Sequence, residues 1–241
     1  MKTITITKKD LDKDNFYKEP EIGTWDNYEN VSVVIEENLG YVRFKKGVYV
    51  NGSVLAEAGS GIEAGEGIKA GEGIKAGSGI EAGEGIEAGE GIEAGDGIEA
   101  GWGIEAGWGI KAGEGIKAGS GIEAGDGIEA GDGIEAGEGI EAGWGIEAGE
   151  GIEAGWGITS LYSWIKAKLA ITFNTSCTIS AGIFSTSGAQ DIECQEINGG
   201  KVIYGNLKLL PKENSTKKDL LSKADELIAK ANELKEEANK L

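Results

Sequence analysis

A mainly β protein, a parallel β-solenoid with an N-terminal β cap and a C-terminal α-helix, is the fold this sequence predicts. Three observations predict it. An isoleucine recurs at every sixth position from Ile62 to Ile158, seventeen in all. The unit around it is G-x-G-I-x-A, and little but x changes between copies. Beyond residue 216 the pattern turns to leucine and alanine at alternating spacings of four and three.

The elements follow in chain order. Residues 1–51 mix aromatics and charges without the repeat, and 4–6, 31–35, 41–44 and 48–50 read as short strands. A solenoid needs its open end protected, so this segment is expected to be a β capping subdomain. Residues 52–158 are the regular solenoid. Six is not a helical period, and two glycines per unit oppose a helix. Six is a multiple of two, so every unit of a strand can face the same way. With I-x-A as the strand, Ile62 and Ala64 point inward and Glu63 points out. The two glycines then form a corner where φ can be positive. One unit buries too little to order six residues, so only stacked coils are stable. Two units per coil (12 residues) and three (18) both fit the pattern. After Ile158 the period slips by one residue and resumes loosely through Ile165, Ile171, Cys177 and Ile183, an irregular continuation over 159–210. Residues 216–241 carry Leu220, Ala224, Leu227, Ala231, Leu234, Ala238 and Leu241, a heptad stripe expected to form a self-associating helix and make the chain a homo-oligomer.

Charge is concentrated in the repeats. The chain has 42 acids, 23 bases and no histidine, a net −19. Residues 59–158 hold 22 of the acids and four lysines, net −18. Direct nucleic-acid or membrane binding is disfavoured, and a basic protein partner is the natural counterpart. No apolar run has the length of a bilayer span, and the N-terminus lacks a signal-peptide core, so a soluble, cytoplasmic protein is expected. Two cysteines, Cys177 and Cys194, do not make a disulfide scaffold and read as buried or half-buried thiols.

No constellation points to catalysis. The carboxylates lie on a regular lattice with no unique pair, so a solvated acidic surface is the expectation and an enzyme is not. Lys69, Lys75, Lys111 and Lys117 interrupt one acidic row, and aspartate stands only at 96, 126 and 132 of the repeats, so neither a metal nor another cofactor is expected. The residues expected to face a partner are those between the paired glycines: Glu66, Glu72, Glu84, Glu90, Asp96, Trp102, Trp108, Asp126, Asp132, Glu138, Trp144 and Trp156. Exposed tryptophan is favoured at binding hot spots, and the two neighbouring pairs, 102 with 108 and 144 with 156, could clamp a partner.

The unit resembles the hexapeptide repeats of left-handed β-helix proteins, over about 100 residues. In that family the small inward residue stands two before the aliphatic one. Here Glu66, Trp102 or Asp126 stands there, and the small inward residue is the alanine two after, so handedness is not carried over. Hexapeptide acyltransferases use a histidine base, which this chain lacks. In charge and shape the chain resembles DNA-mimic inhibitors, the acidic phage proteins that block restriction enzymes and the pentapeptide-repeat proteins that block gyrase. That resemblance implies an anti-restriction or anti-CRISPR-like inhibitor, phage-encoded and acting in a host cytoplasm, bound to a DNA- or RNA-handling enzyme. The alternative is a structural rod, spacer or spike segment.

Overall fold

The computed structural model describes residues 2–19, 21–24, 27–173, 176, 178–183 and 191–211. The chain divides into two units, Met1–Leu210 and Pro211–Leu241. The first is a parallel β-solenoid of three sheets, with 11, 9 and 9 strands. The fold-class expectation needs one correction. Among the described residues the helical structure is one 3-10 turn, Lys8–Asp10, and no α-helix is seen. The segment 216–241, with all seven residues of the heptad stripe, lies outside the described residues.

Each coil is three I-x-A strands joined by three G-x-G corners. Ile86 pairs with Ile104, and Ile104 with Ile122, so one coil is 18 residues. The first sheet contains Ile74–Ala76, Ile92–Ala94, Ile110–Ala112, Ile128–Ala130 and Ile146–Ala148. The second contains Ile68–Ala70, Ile86–Ala88, Ile104–Ala106, Ile122–Ala124, Ile140–Ala142 and Ile158–Ser160. The third contains Ile80–Ala82, Ile98–Ala100, Ile116–Ala118, Ile134–Ala136 and Ile152–Ala154. Isoleucine lies on isoleucine in every pair of these strands, and alanine on alanine in all but one, where Ser160 lies on Ala142, and all are buried. Three isoleucine and three alanine columns fill the interior, a narrow core that stacking keeps dry.

The glycines have a different cause from the one the sequence indicates. None from Gly61 to Gly157 has positive φ. The first glycine of each pair is required by close approach between coils. A Cβ on Gly113 would stand 2.0 Å from the carbonyl oxygen of Gly95, and one on Gly89 2.1 Å from that of Gly71. The second glycine is less constrained: a Cβ on Gly115 would meet Gly133 O at 3.4 Å.

Val31–Ile35, Gly40–Phe44 and Val48–Val50 belong to the three sheets, pairing with Val54–Ala56, Ser60–Ala64 and Ile68–Ala70. Beyond them, Lys2–Ile6 extends the first sheet, Phe16 bridges Arg43 on the third, and Ile22 and Glu29 bridge Val48 and Val50 on the second. The polar edge groups of the first coil therefore find partners. Thr7 and Asp10 form a capping box on the 3-10 turn between them.

After Ile158 the coils lengthen at their corners. Ile146 pairs with Ile165, Ile158 with Ile179, and Ile165 with Ile192. Ile165, Ile171 and Ile179 are buried. The expected continuation of the period at 183 is corrected: Ile179 takes the interior position, and Ile183 is exposed. Cys177 lies outside the described residues, while Cys194 is a free, fully buried thiol. Among the described residues no helix is long and apolar enough to cross a membrane.

Candidate functional site: three corner columns and three strand-centre columns

The 18-residue coil sorts every variable position into one of six surface columns. Corner residues stack through backbone bonds: Glu84 N–H donates to the Glu66 carbonyl, Trp102 to Glu84, Ser120 to Trp102, Glu138 to Ser120, and Trp156 to Glu138. This corner, between the third and second sheets, thus collects Glu66, Glu84, Trp102, Ser120, Glu138 and Trp156. A second corner, between the second and first sheets, collects Glu72, Glu90, Trp108, Asp126 and Trp144. The third corner holds Asp96 and Asp132, together with Ser78, Glu114 and Glu150. The tryptophan pairs read from neighbouring repeats are thereby rearranged. Trp102 shares a column with Trp156, and Trp108 with Trp144, because 54 and 36 are whole multiples of the coil and the steps between neighbours are not. All four are exposed, with 57–60% of their surface in solvent.

The strand-centre residues are the second half of the surface, absent from the expected site list. Their charges differ by face. On the first sheet Lys75 pairs with Glu93 at 3.0 Å and Lys111 with Glu129 at 2.9 Å. The hydrogen bond and charge of Glu129, aided by Glu93, hold the Lys111 ammonium above the usual lysine value. On the second sheet Lys69 pairs with Glu87, after which Glu105, Glu123 and Glu141 follow in register with no base among them. On the third, Arg43 pairs with Glu63 at 2.7 Å and Lys117 with Glu135 at 3.4 Å. Each repeat lysine meets the glutamate 18 residues later. Between those two ion pairs, Glu81 stacks against Glu63 and Glu99. Partial burial, then the charges of Glu63 and Glu99, raise the Glu81 carboxyl above its usual range.

A groove runs along each sheet between a corner column and a strand-centre column, floored by the second glycine of each unit. The first-sheet groove, about 800 Å³, is lined by Trp108, Trp144 and Trp164, with both lysines and acids along it. The second-sheet groove, about 660 Å³, is lined by Trp102, Trp156 and glutamates, and no base lines it. The third-sheet groove, about 830 Å³, is lined by seven acids, one lysine and no tryptophan.

No family model, curated protein or solved structure matches this chain.

The surface must be read from its own chemistry. Among the described residues no three histidine, cysteine or carboxylate side chains converge as metal ligands. Its chemical capacity is display: fixed negative charges in rows, with flat aromatic faces at set heights. Two aromatics outside the expected list extend it. Tyr162 stacks on Trp144 with ring centroids 5.7 Å apart, and Lys166 Nζ stands 4.9 Å from the Trp164 ring centroid. Both follow the period slip after Ile158, where the unit no longer flags the corner slot.

Proposed function

We propose that this protein is a non-enzymatic acidic rod that occupies the basic groove of a nucleic-acid-handling protein as a DNA mimic. The observation that carries the reading is the stacking of acids into columns at the fixed pitch of the coil. Coils of a parallel sheet stack at ~4.8 Å, so the 100 residues of the repeat make a column of ~27 Å. A net −18 over that length is about one charge per 1.5 Å, against ~1.7 Å for duplex DNA. The third face supports the reading most directly, with a corner row of carboxylates beside a strand-centre row that Lys117 alone interrupts between Glu81 and Glu153. A basic groove shaped for two phosphate strands would find charge at matching density on a surface that cannot collapse around it.

The test is competition. A purified DNA-binding enzyme inhibited by the protein should be released by duplex DNA and by moderate salt, since the contacts are exposed ion pairs. Replacing Asp96, Glu114, Asp132 and Glu150 with their amides should abolish inhibition. Inhibition that persists in those amides, or that duplex DNA does not relieve, would sink the reading. A structural rod or spacer is the second reading, favoured by the near-identity of successive coils from Ile62 to Ile158. It predicts association with assembly components and no effect on any nucleic-acid enzyme.

A further inference from the structure

Two glycines frame each corner residue, and along the middle of the second-sheet groove only the first is forced by packing. At Gly103 and Gly121 a Cβ would meet a backbone oxygen at 3.3 Å, and at Gly139 at 3.4 Å, within a few tenths of an ångström of ordinary contact. None has a φ that requires glycine. A bare floor is therefore kept along the second-sheet groove where alanine would nearly fit. Exposed indoles stand at both ends of that floor, Trp102 60% and Trp156 59% in solvent. Glu84 and Glu138 line one wall, and Glu87, Glu105, Glu123 and Glu141 the other.

The charge selects the occupant. An apolar segment would strip water from six carboxylates, of which Glu87 alone has an ion-pair partner among the described residues, Lys69, and return no opposite charge, a cost no indole contact offsets. A cationic segment neutralises both walls and can place cations over the indole faces. Arginine suits the site better than lysine, because its planar guanidinium stacks on indole and bonds carboxylates two at a time. The dimensions select the conformation. Trp102 and Trp156 are three coils apart, ~14 Å at ~4.8 Å per coil, and four residues of extended chain span ~13.6 Å at ~3.4 Å per residue.

We infer that the Trp102–Trp156 groove on the second sheet binds an extended arginine-bearing segment of a protein partner, with guanidinium groups at positions i and i+4 over the two indoles and the side chain at i+2 between the glutamate walls. This rests on the reading above that the partner is basic, and narrows it to one face. The first-sheet groove is an internal control, having tryptophan but also Lys75 and Lys111 already paired with its acids.

The experiment is titration of the full chain with a short synthetic peptide carrying arginine at every second position, read by calorimetry. The Trp102→Ala/Trp156→Ala variant should weaken binding roughly tenfold or more, on cation–π scales of about 2- to 30-fold per contact. Trp108→Ala/Trp144→Ala, in the groove where Lys75 and Lys111 already occupy acids, should weaken it far less. Gly103→Ala/Gly121→Ala, filling the floor while retaining the β-sheet circular dichroism, should also weaken it. Equal loss in the two tryptophan variants, equal affinity for a peptide with arginines at every third position, or equal affinity for spermine would overturn the groove as a site for an extended segment. The wider reading fails separately. If the wild type inhibits a DNA-binding enzyme and the Trp102→Ala/Trp156→Ala variant inhibits equally, the groove proposal falls and the mimic stands. If the peptide binds as expected while amides on the third face leave inhibition intact, the mimic falls and the groove stands.

Discussion

At the scale of single residues, the two glycines of a unit look interchangeable in sequence and are not. The Cβ that Gly113→Ala would add lies 2.0 Å from the Gly95 carbonyl, a rigid backbone atom in the coil beneath. That variant is expected to lose about 3 kcal/mol or more, by the mechanism of overpacking without an escape route. Gly115→Ala, with 3.4 Å to its nearest oxygen, should lose about 1 kcal/mol at most. Chemical denaturation of the pair measures the difference, and equal losses would remove the steric account of the repeat. Glu81 gives a pH signature at the same scale. Its folded pKa is raised, so the folded state holds the proton more tightly than the unfolded one. Its contribution therefore improves as pH falls from neutral through the raised value, and is complete below the ordinary glutamate range. Asp10, held low first by the Thr7 backbone N–H, acts in the opposite sense and loses its contribution only at more acid pH. Melting temperature should therefore rise on mild acidification and then fall. Glu81→Gln should flatten the rise, and an unchanged rise in that variant would assign it to other acids.

At the scale of elements, lysine placement decides which columns are tolerable. Like charges ~5 Å apart in water repel by ~0.8 kcal/mol per neighbouring pair, so an unrelieved acidic column strains each strand pair it crosses. Lys75 and Lys111 alternate with Glu93 and Glu129 on the first sheet and relieve it. Lys111→Glu would place four glutamates in succession there, at 93, 111, 129 and 147. The expected loss is small, as for other exposed pairs, and should shrink as salt is added. Lys111→Met, which removes the charge but not the stem, should lose less. A loss insensitive to salt would show that Lys111 acts through packing.

At the scale of the whole molecule, the coil length makes deletions informative. Removing residues 109–126, one full coil, leaves every later strand on its own sheet. Removing 109–114 also preserves the isoleucine period but moves every later residue to the next face, taking Trp144 out of the Trp108 column. Both deletions should melt cooperatively with β-sheet circular dichroism, because every interior position of the repeat from Ile62 to Ala154 remains isoleucine or alanine. Binding that needs two indoles three coils apart in one column should be lost in both on calorimetric titration, because an indole then stands two coils from Trp102, Trp156 in the first deletion and Trp144 in the second. Overall stability should rise between low and moderate ionic strength as salt screens the columns. A flat or falling response would count against a dense acidic surface.

The sequence by itself determined the strand, the corner and what each hides. Ile62 to Ile158 at a spacing of six leave no other inward set, because side-chain direction alternates along a strand. It also made the acidic excess and the four tryptophans legible as surface. What it could not determine is which surface residues are neighbours. Every unit has the same interior, so twelve and eighteen residues per coil bury the same side chains, and the local pattern has no term that separates them. Closure of three strands around one core decides it, and with it the pairing of each lysine with the glutamate 18 residues on, the union of Trp102 with Trp156, and the charge of each face. The irregular end was less legible for a related reason: residues added at corners, as between Ile171 and Ile179, leave no mark on strand periodicity, and only pairing with the coil beneath shows which side chain turns inward.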